Sequence, residues 1–288
     1  MTDSAFNTLQ TVDGWAILPS SLKRPDRSPR FNLSFPAFFA GDLAARYLVE
    51  HETRAGYELP TRNLIERTLR RGDLFVDVGA HWGLFTLQAA THHAGDINVV
   101  SFEPELINAT VLTENVVRNK LAKAVTVICG ACGSAYELAP LATNSTMGHS
   151  IRGVGLPEID RGPPKWVAVV PLDRTLASLP NQAERRIVLK IDAEGLEPDV
   201  VAGAGALLAS GRVASILWEC GIAMAGEPAR RTMTAMLAFL GDCGFRHFRP
   251  PEHEVDGPLL PFDGDTTGYV GNVFSLGPQI ANDMPVSE

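Results

Sequence analysis

The segment Asp77-Val-Gly-Ala-His-Trp-Gly83 places two glycines between an apolar run and a helical stretch. Glycines at such a turn let the backbone approach a ligand closely, and the N–H groups that begin the helix bind a carboxylate or phosphate. Ligands of open α/β sheets bind at the carboxyl ends of strands, so the segment predicts a small-molecule site. The candidate ligand-binding residues are Asp77, Gly79, Ala80, His81, Trp82 and Gly83.

Two common nucleotide motifs are missing from the sequence. A dinucleotide-binding G-x-G-x-x-G motif beginning at Gly79 would need glycines where His81 and Leu84 stand. The sequence also has no G-x-x-x-x-G-K-[ST] phosphate-binding loop. These absences count against a nicotinamide oxidoreductase and leave nucleotide hydrolysis without support.

Three acids follow apolar runs that look like strands. Glu103, followed by Pro104, is suited to accept hydrogen bonds from two ribose hydroxyls. Asp192 and Glu219 are expected to face the same crevice, where they could act in proton transfer or hold a Mg²⁺ ion. Helix capping or ion pairing, for example with Lys190, is the alternative for both residues.

The polar stretch before Ser150 contains His149, a candidate general base, since imidazole exchanges protons near neutral pH. A solvated loop histidine is the alternative. Cys129 and Cys132 have the spacing of a redox pair or of half a zinc site, but no second close pair exists. Small packed residues at a strand end are therefore the preferred interpretation of these cysteines.

Short β-branched runs alternate with helical stretches from residue 72 onwards, which is typical of a parallel sheet covered by helices. Pro104 is placed to begin a helix, and a single helix is predicted over 198–209. We predict an α/β fold with a doubly wound, Rossmann-like, mostly parallel sheet of seven strands and an antiparallel edge. The predicted strands are 73–78, 97–102, 125–129, 187–191, 214–218, 245–249 and 272–276.

The predicted sheet divides the chain into a cover and a main domain. Residues 1–71 are expected to form a helical or irregular N-terminal cover, and residues 72–288 the sheet domain. Residues 130–186 are too many for an ordinary crossover between strands and predict an inserted hairpin and loop above the site.

The chain has 288 residues and a formal net charge of −8, which argues against a dedicated nucleic-acid binder. The apolar stretch 200–211 is too short to cross a bilayer, so no membrane span is expected. The first 20 residues lack the pattern of a secretory signal, and four cysteines are too few for a disulfide scaffold. A cytoplasmic enzyme with a small-molecule substrate is predicted; the oligomeric state, including a homo-oligomer, stays open.

Together, the Asp77–Gly83 turn and the Glu103-Pro104 pair resemble the S-adenosylmethionine site of class I methyltransferases. Later segments resemble the FkbM family of these enzymes more specifically, above all Lys190-Ile-Asp-Ala-Glu-Gly195. Further matches are Ala202-Gly-Ala204, Leu217-Trp-Glu219, Leu172-Asp173, Asn115, Asn119 and Asn272-Val273, so the resemblance covers about residues 70–276.

The resemblance implies an S-adenosylmethionine-dependent O-methyltransferase that acts on a hydroxyl of a sugar, a polyketide or a similar natural product. Asp77, Gly79, Ala80 and Gly83 would line the methionine end of the donor, and Glu103 would hold its ribose. His81 stands where the family usually has asparagine. In metal-dependent relatives of this fold, acids at the positions of Asp192 and Glu219 hold Mg²⁺. A non-catalytic binding or scaffold module with a methyltransferase-like fold is the alternative, because fold does not guarantee function.

Overall fold

The computed structural model describes residues 8–142, 150–151, 165–180, 182, 184–220, 227–250, 257–265 and 269–280. The N-terminal cover begins with three short strands that form an antiparallel sheet and continues with two helices. The expectation of a helical or irregular cover is therefore wrong for its first part. These elements are β1 (Gln10–Val12), β2 (Trp15–Pro19), β3 (Asn32–Pro36), α1 (Leu43–Arg54) and α2 (Leu59–Thr68).

Asparagines of the main domain attach the cover to it. Asn115 accepts a hydrogen bond from the Ser34 backbone N–H at 2.7 Å, and Asn119 exchanges two hydrogen bonds with the backbone of Asn32. Phe35 also stacks on Trp82, with ring centroids 4.8 Å apart. Asn115 and Asn119, which belong to the family resemblance, thus join the cover to the domain.

The first half of the main domain alternates strands with helices, as predicted. All five residues of its first strand are buried, which explains the nearly continuous apolar run. The elements are β4 (Leu74–Val78), α3 (Leu84–Thr91), β5 (Asn98–Glu103), α4 (Leu106–Arg118) and β6 (Val125–Cys129).

The predicted insertion contains a small separate sheet, with strand order β7-β10-β8-β9, followed by a helix. In this sheet β8 pairs antiparallel with both β9 and β10. The elements are β7 (Ala131–Cys132), β8 (Glu137–Ala142), β9 (Ser150–Ile151), β10 (Lys165–Val170) and α5 (Leu172–Ser178).

The last part of the domain completes the central sheet. The single helix predicted over 198–209 is two helices, and the Asp173 carboxylate accepts hydrogen bonds from the Ala206 and Leu207 N–H groups at the start of the second. The elements are β11 (Ile187–Ile191), α6 (Glu197–Ala202), α7 (Gly205–Ala209), β12 (Val213–Cys220), α8 (Glu227–Asp242), β13 (Arg246–Arg249), β14 (Leu260–Pro261) and β15 (Gly271–Leu276).

In the described part of the chain, the central sheet has the strand order β14-β13-β15-β12-β11-β4-β5-β6. The five strands from β12 to β6 pair in parallel, whereas β15 pairs antiparallel with both β12 and β13. The predicted count of seven strands is wrong, because the two-residue β14 adds an eighth strand beside β13.

Helices cover both faces of this sheet. Leu74 and Val76 belong to one apolar cluster, which includes residues of α6, α7 and α8, while Phe75 belongs to the cluster with residues of α2, α3 and α4. Among the described helices, none is both long and apolar enough to cross a membrane. The sheet is thus buried on its faces, and its strand ends are left to bind ligands.

Candidate functional site

A cavity lies at the carboxyl ends of β4, β5 and β11, below the N-terminal cover. Its empty volume is about 1050 Å³, part of which is open to solvent. Gly79–Trp82 and Glu103 line it from the strand ends, and Asp192 lines it from the end of β11. Tyr57 and Glu58 line it from the cover. Residues of both the main domain and the cover therefore line the cavity.

The turn after β4 brings its backbone close to the end of β11. Gly79 has φ +75°, and a Cβ at this position would overlap the Asp192 carbonyl oxygen. His81, with φ +49°, also takes the left-handed conformation, and Trp82 is buried with its indole N–H donating to Asn108 at 2.9 Å. The turn is thus held in a conformation that presents its backbone to the cavity.

Glu103 is buried at the end of β5 and faces the same cavity. Its two carboxylate oxygens accept hydrogen bonds from the His81 N–H at 2.8 Å and the Glu105 N–H at 3.0 Å. Burial raises the pKa of Glu103 to about 7, although these hydrogen bonds oppose the shift. The Asn108 side chain is a third donor to Glu103. A carboxylate has about four lone-pair sites, so Glu103 has capacity for one further donor.

A buried lysine links the turn after β4 to Asp192. Lys190 Nζ lies 3.5 Å from Asp77, 3.2 Å from Asp192 and 3.4 Å from the Gly79 carbonyl oxygen. Burial opposes the charge of Lys190, but the nearby carboxylates of Asp192, Asp77 and Glu58 outweigh it and raise the lysine pKa. The lysine therefore remains charged and holds the two strand ends together.

The predicted site residues occupy different places around the cavity. Gly79, Ala80, His81, Trp82, Glu103, Pro104 and Asp192 line it. Asp77 is fully buried and accepts a hydrogen bond from Thr86 at 2.7 Å, so it lies below the turn and supports it. Gly83 precedes α3 with φ +93° and packs against Leu112. His149 lies outside the described residues.

The tentative Mg²⁺ site at Asp192 and Glu219 finds no support. Among the described residues, no group of three or more histidines, cysteines, aspartates or glutamates could hold a metal ion. Asp192 pairs with Lys190, and Glu219 is not among the residues that line the cavity. Burial and the neighbouring carboxylates raise the pKa of Glu219 to about 8.

Sequence reasoning missed Tyr57 and Glu58. They lie at the junction of α1 and α2, and no strand end or motif marks them in the sequence. Only the packing of the cover over the strand ends brings them to the cavity.

We predict that Glu197, at the start of α6, makes the stability of the protein depend on pH. Its Oε1 accepts hydrogen bonds from the Ala193 and Gly195 N–H groups, and burial raises its pKa from 4.5 to about 7. The native state therefore binds an extra proton between these values, and this group makes the free energy of unfolding fall as pH rises through that window. Glutamine does not titrate, so Glu197→Gln lacks this loss. Relative to wild type, the free energy of unfolding of Glu197→Gln should therefore be about 1–2 kcal/mol higher at about pH 8.5 than at about pH 5.

Urea unfolding at both pH values measures the effect of Glu197→Gln. Glu114→Gln is the control, because Glu114 forms a surface ion pair with Arg118 on α4. A stability difference between Glu197→Gln and wild type that does not change with pH would contradict the prediction.

One comparison with known proteins identifies a family for this chain. The model of the methyltransferase FkbM domain matches residues 77–247, which is more than half of the chain. No curated protein is similar enough in sequence to count as a match.

Among solved structures, the chain is similar to methyltransferase FkbM from Methylobacillus flagellatus KT, with 16% identity and a TM-score of 0.48. That match covers 83% of this chain and 52% of the other, so this chain spans about half the length of that protein. Cofactor-bound Rv0187 from MTB is 16% identical, with a TM-score of 0.44 and coverage of 83% of this chain and 88% of the other. Precorrin-6y C5,15-methyltransferase from Geobacter metallireducens GS-15 is 12% identical, with a TM-score of 0.39 and coverage of 75% and 87%.

Proposed function

This chain belongs to the FkbM methyltransferase family, and we propose that it transfers the methyl group of S-adenosylmethionine to a hydroxyl of a sugar, a polyketide or a similar natural product. The observation that carries the proposal is the shared cavity of the Gly79–Trp82 turn and Glu103. A glycine-containing turn at the start of a helix, beside an acid at the next strand end, suits a ligand with a carboxylate and a ribose.

The residues present fit S-adenosylmethionine. Gly79 lines the cavity, and because a Cβ there would overlap the Asp192 carbonyl oxygen, only glycine lets the turn pack against the end of β11. Glu103 has capacity for a ribose hydroxyl, and Pro104 lines the cavity next to it. When bound, the donor supplies an electrophilic methyl group on a sulfonium. The protein's part is to align the acceptor hydroxyl with that methyl group and to remove its proton.

The acceptor is proposed to bind on the side of the cavity that the cover provides. Leu33, Leu48 and Tyr57 line this side with apolar and aromatic surface, and Glu58 is the carboxylate among them. Such a surface suits a molecule with an apolar face and a hydroxyl, as sugars and polyketides have.

Glu103→Gln should weaken binding of S-adenosylhomocysteine, the demethylated product, by about 10- to 100-fold. The variant loses a charged acceptor for the ribose hydroxyls. One of its two oxygens also becomes an amide NH₂ group, which cannot accept from the His81 or Glu105 N–H. Calorimetric titration of the wild type and the variant measures the change, with Glu114→Gln as the surface control. Equal affinity of wild type and Glu103→Gln would show that Glu103 does not hold the donor.

Methyl transfer is then tested on a panel of hydroxylated glycosides and polyketides with S-adenosylmethionine. We expect turnover of at least one of them by the wild type. Failure of well-folded protein to bind S-adenosylhomocysteine, or lack of turnover across the panel, would overturn the proposed function.

A further inference from the structure

Glu58 presents a carboxylate to the cavity from an element outside the part of the chain that matches the family model. It lies between α1 and α2, immediately before Leu59. Its backbone has φ +47° and ψ +38°, a left-handed conformation that costs energy for a residue with a side chain. Such strain persists where the surrounding structure holds a residue in place, and it is concentrated at functional sites.

The contacts of Glu58 tie its carboxylate to β15. Its Oε2 accepts a hydrogen bond from Asn272 Nδ2 at 2.9 Å, and its carboxylate also interacts with the Tyr57 hydroxyl. Asn272 lies on β15, opposite Glu219 of β12. In the sheet, β12 and β15 lie on one side of β11, whereas β4 and β5 lie on the other. Glu58 is therefore tied to the side away from the proposed donor site.

Glu58 differs from Asp192 in its partners. Asp192 forms an ion pair with Lys190 at 3.2 Å, while the hydrogen-bond partners of Glu58 are the neutral groups of Asn272 and Tyr57. Burial and the charge of Asp192 raise the pKa of Glu58, and Lys190, Asn272 and Tyr57 oppose this shift. A carboxylate with raised proton affinity is a stronger base toward a substrate hydroxyl.

We propose that Glu58 holds the acceptor hydroxyl and takes its proton during methyl transfer, an inference that rests on the function proposed above. As the proton moves to the Glu58 carboxylate, the acceptor oxygen forms a bond to the donor's methyl carbon. The carbon–sulfur bond breaks and its electron pair stays on sulfur. The products are a methyl ether, a neutral thioether and protonated Glu58, which returns its proton to solvent.

Glu58→Gln separates proton transfer from structure. The side-chain oxygen of the new glutamine can still accept the Asn272 hydrogen bond, but the amide cannot take a proton. Glu50→Gln is the matched control, because it removes the same charge from α1, where Glu50 pairs with Arg54 at 3.0 Å. Thermal unfolding of both variants verifies that they fold.

Two measurements test the proposal. Calorimetry with S-adenosylhomocysteine reports the donor site, and methyl transfer to the acceptor found in the panel is followed from about pH 5 to 9 at saturating donor. We expect Glu58→Gln to bind S-adenosylhomocysteine within about threefold of wild type but to lower kcat by about 10²- to 10³-fold. The rise of wild-type kcat with pH, as Glu58 ionises, should be lost. Glu50→Gln should match wild type in both measurements.

Two outcomes would overturn the inference alone. A kcat of Glu58→Gln within about threefold of wild type, with the same pH profile, would show that another group takes the proton. A loss of S-adenosylhomocysteine binding of more than about tenfold would place Glu58 in the donor site. If the wild type itself fails to bind S-adenosylhomocysteine or to methylate any compound of the panel, the proposed function fails, and that result is distinct from both.

Discussion

Lys190→Met is expected to lower the free energy of unfolding by about 3–5 kcal/mol and to weaken S-adenosylhomocysteine binding strongly. Lys190 is the buried cation between Asp77 and Asp192, and its ammonium also reaches the Gly79 carbonyl oxygen. Without it, the fully buried Asp77 carboxylate keeps only the hydrogen bond from Thr86. An uncompensated buried charge of this kind costs far more than an intact buried pair contributes.

Urea unfolding and calorimetry measure the two effects of Lys190→Met. Lys123→Met is the control, since Lys123 is exposed between α4 and β6. The double variant Lys190→Met/Asp77→Asn should recover part of the lost stability, because the asparagine side chain is neutral and can still accept from Thr86. Loss of less than about 1 kcal/mol in Lys190→Met, or no recovery in the double variant, would show that the buried charges are not the cause.

Gly79→Ala is expected to destabilise the protein by about 2–4 kcal/mol and to abolish measurable S-adenosylhomocysteine binding. Two costs add at this position. The backbone has φ +75°, which is unfavourable for alanine, and the new Cβ would overlap the Asp192 carbonyl oxygen. Because that neighbour is backbone at the end of β11, the turn must move away from the strand, and the proposed donor site moves with it.

Gly72→Ala separates the two costs of Gly79→Ala. Gly72 has φ +81°, but nothing lies within 4 Å of a Cβ there. The control variant should therefore lose only about 1 kcal/mol, from backbone conformation, and keep full affinity. Equal losses in the two variants, measured by urea unfolding and calorimetry, would show that the close approach to Asp192 does not matter.

The alternation of strands and helices could be predicted because buried parallel strands must be apolar along their whole length. Ile187–Ile191 and Val125–Cys129 have the predicted bounds. The two-residue β14 could not be predicted, since so short a strand has no period of its own. At the break in the helix predicted over 198–209, the second helix begins with hydrogen bonds to the carboxylate of Asp173, which is far away in sequence.

The strands β1–β3 of the cover could not be predicted from the sequence either. β2 alternates half-buried and buried residues, but over too few positions to be distinguished from irregular structure in the sequence alone. β2 is held by pairing with β1 and β3, and Asn115 of α4 in turn bonds to Ser34 of β3.

The Asp77–Gly83 turn, the acid at the end of β5 and the resemblance to the FkbM family could all be found in the sequence, because they are local and depend on residue type and spacing. The positions of Asp77 below the turn and of Lys190 between it and Asp192 became evident only in the folded chain. Folding also brings Glu58 to the cavity, through a hydrogen bond to Asn272 from the other end of the chain. Side chains that meet across hundreds of residues leave no periodic signal, since their proximity is created by packing.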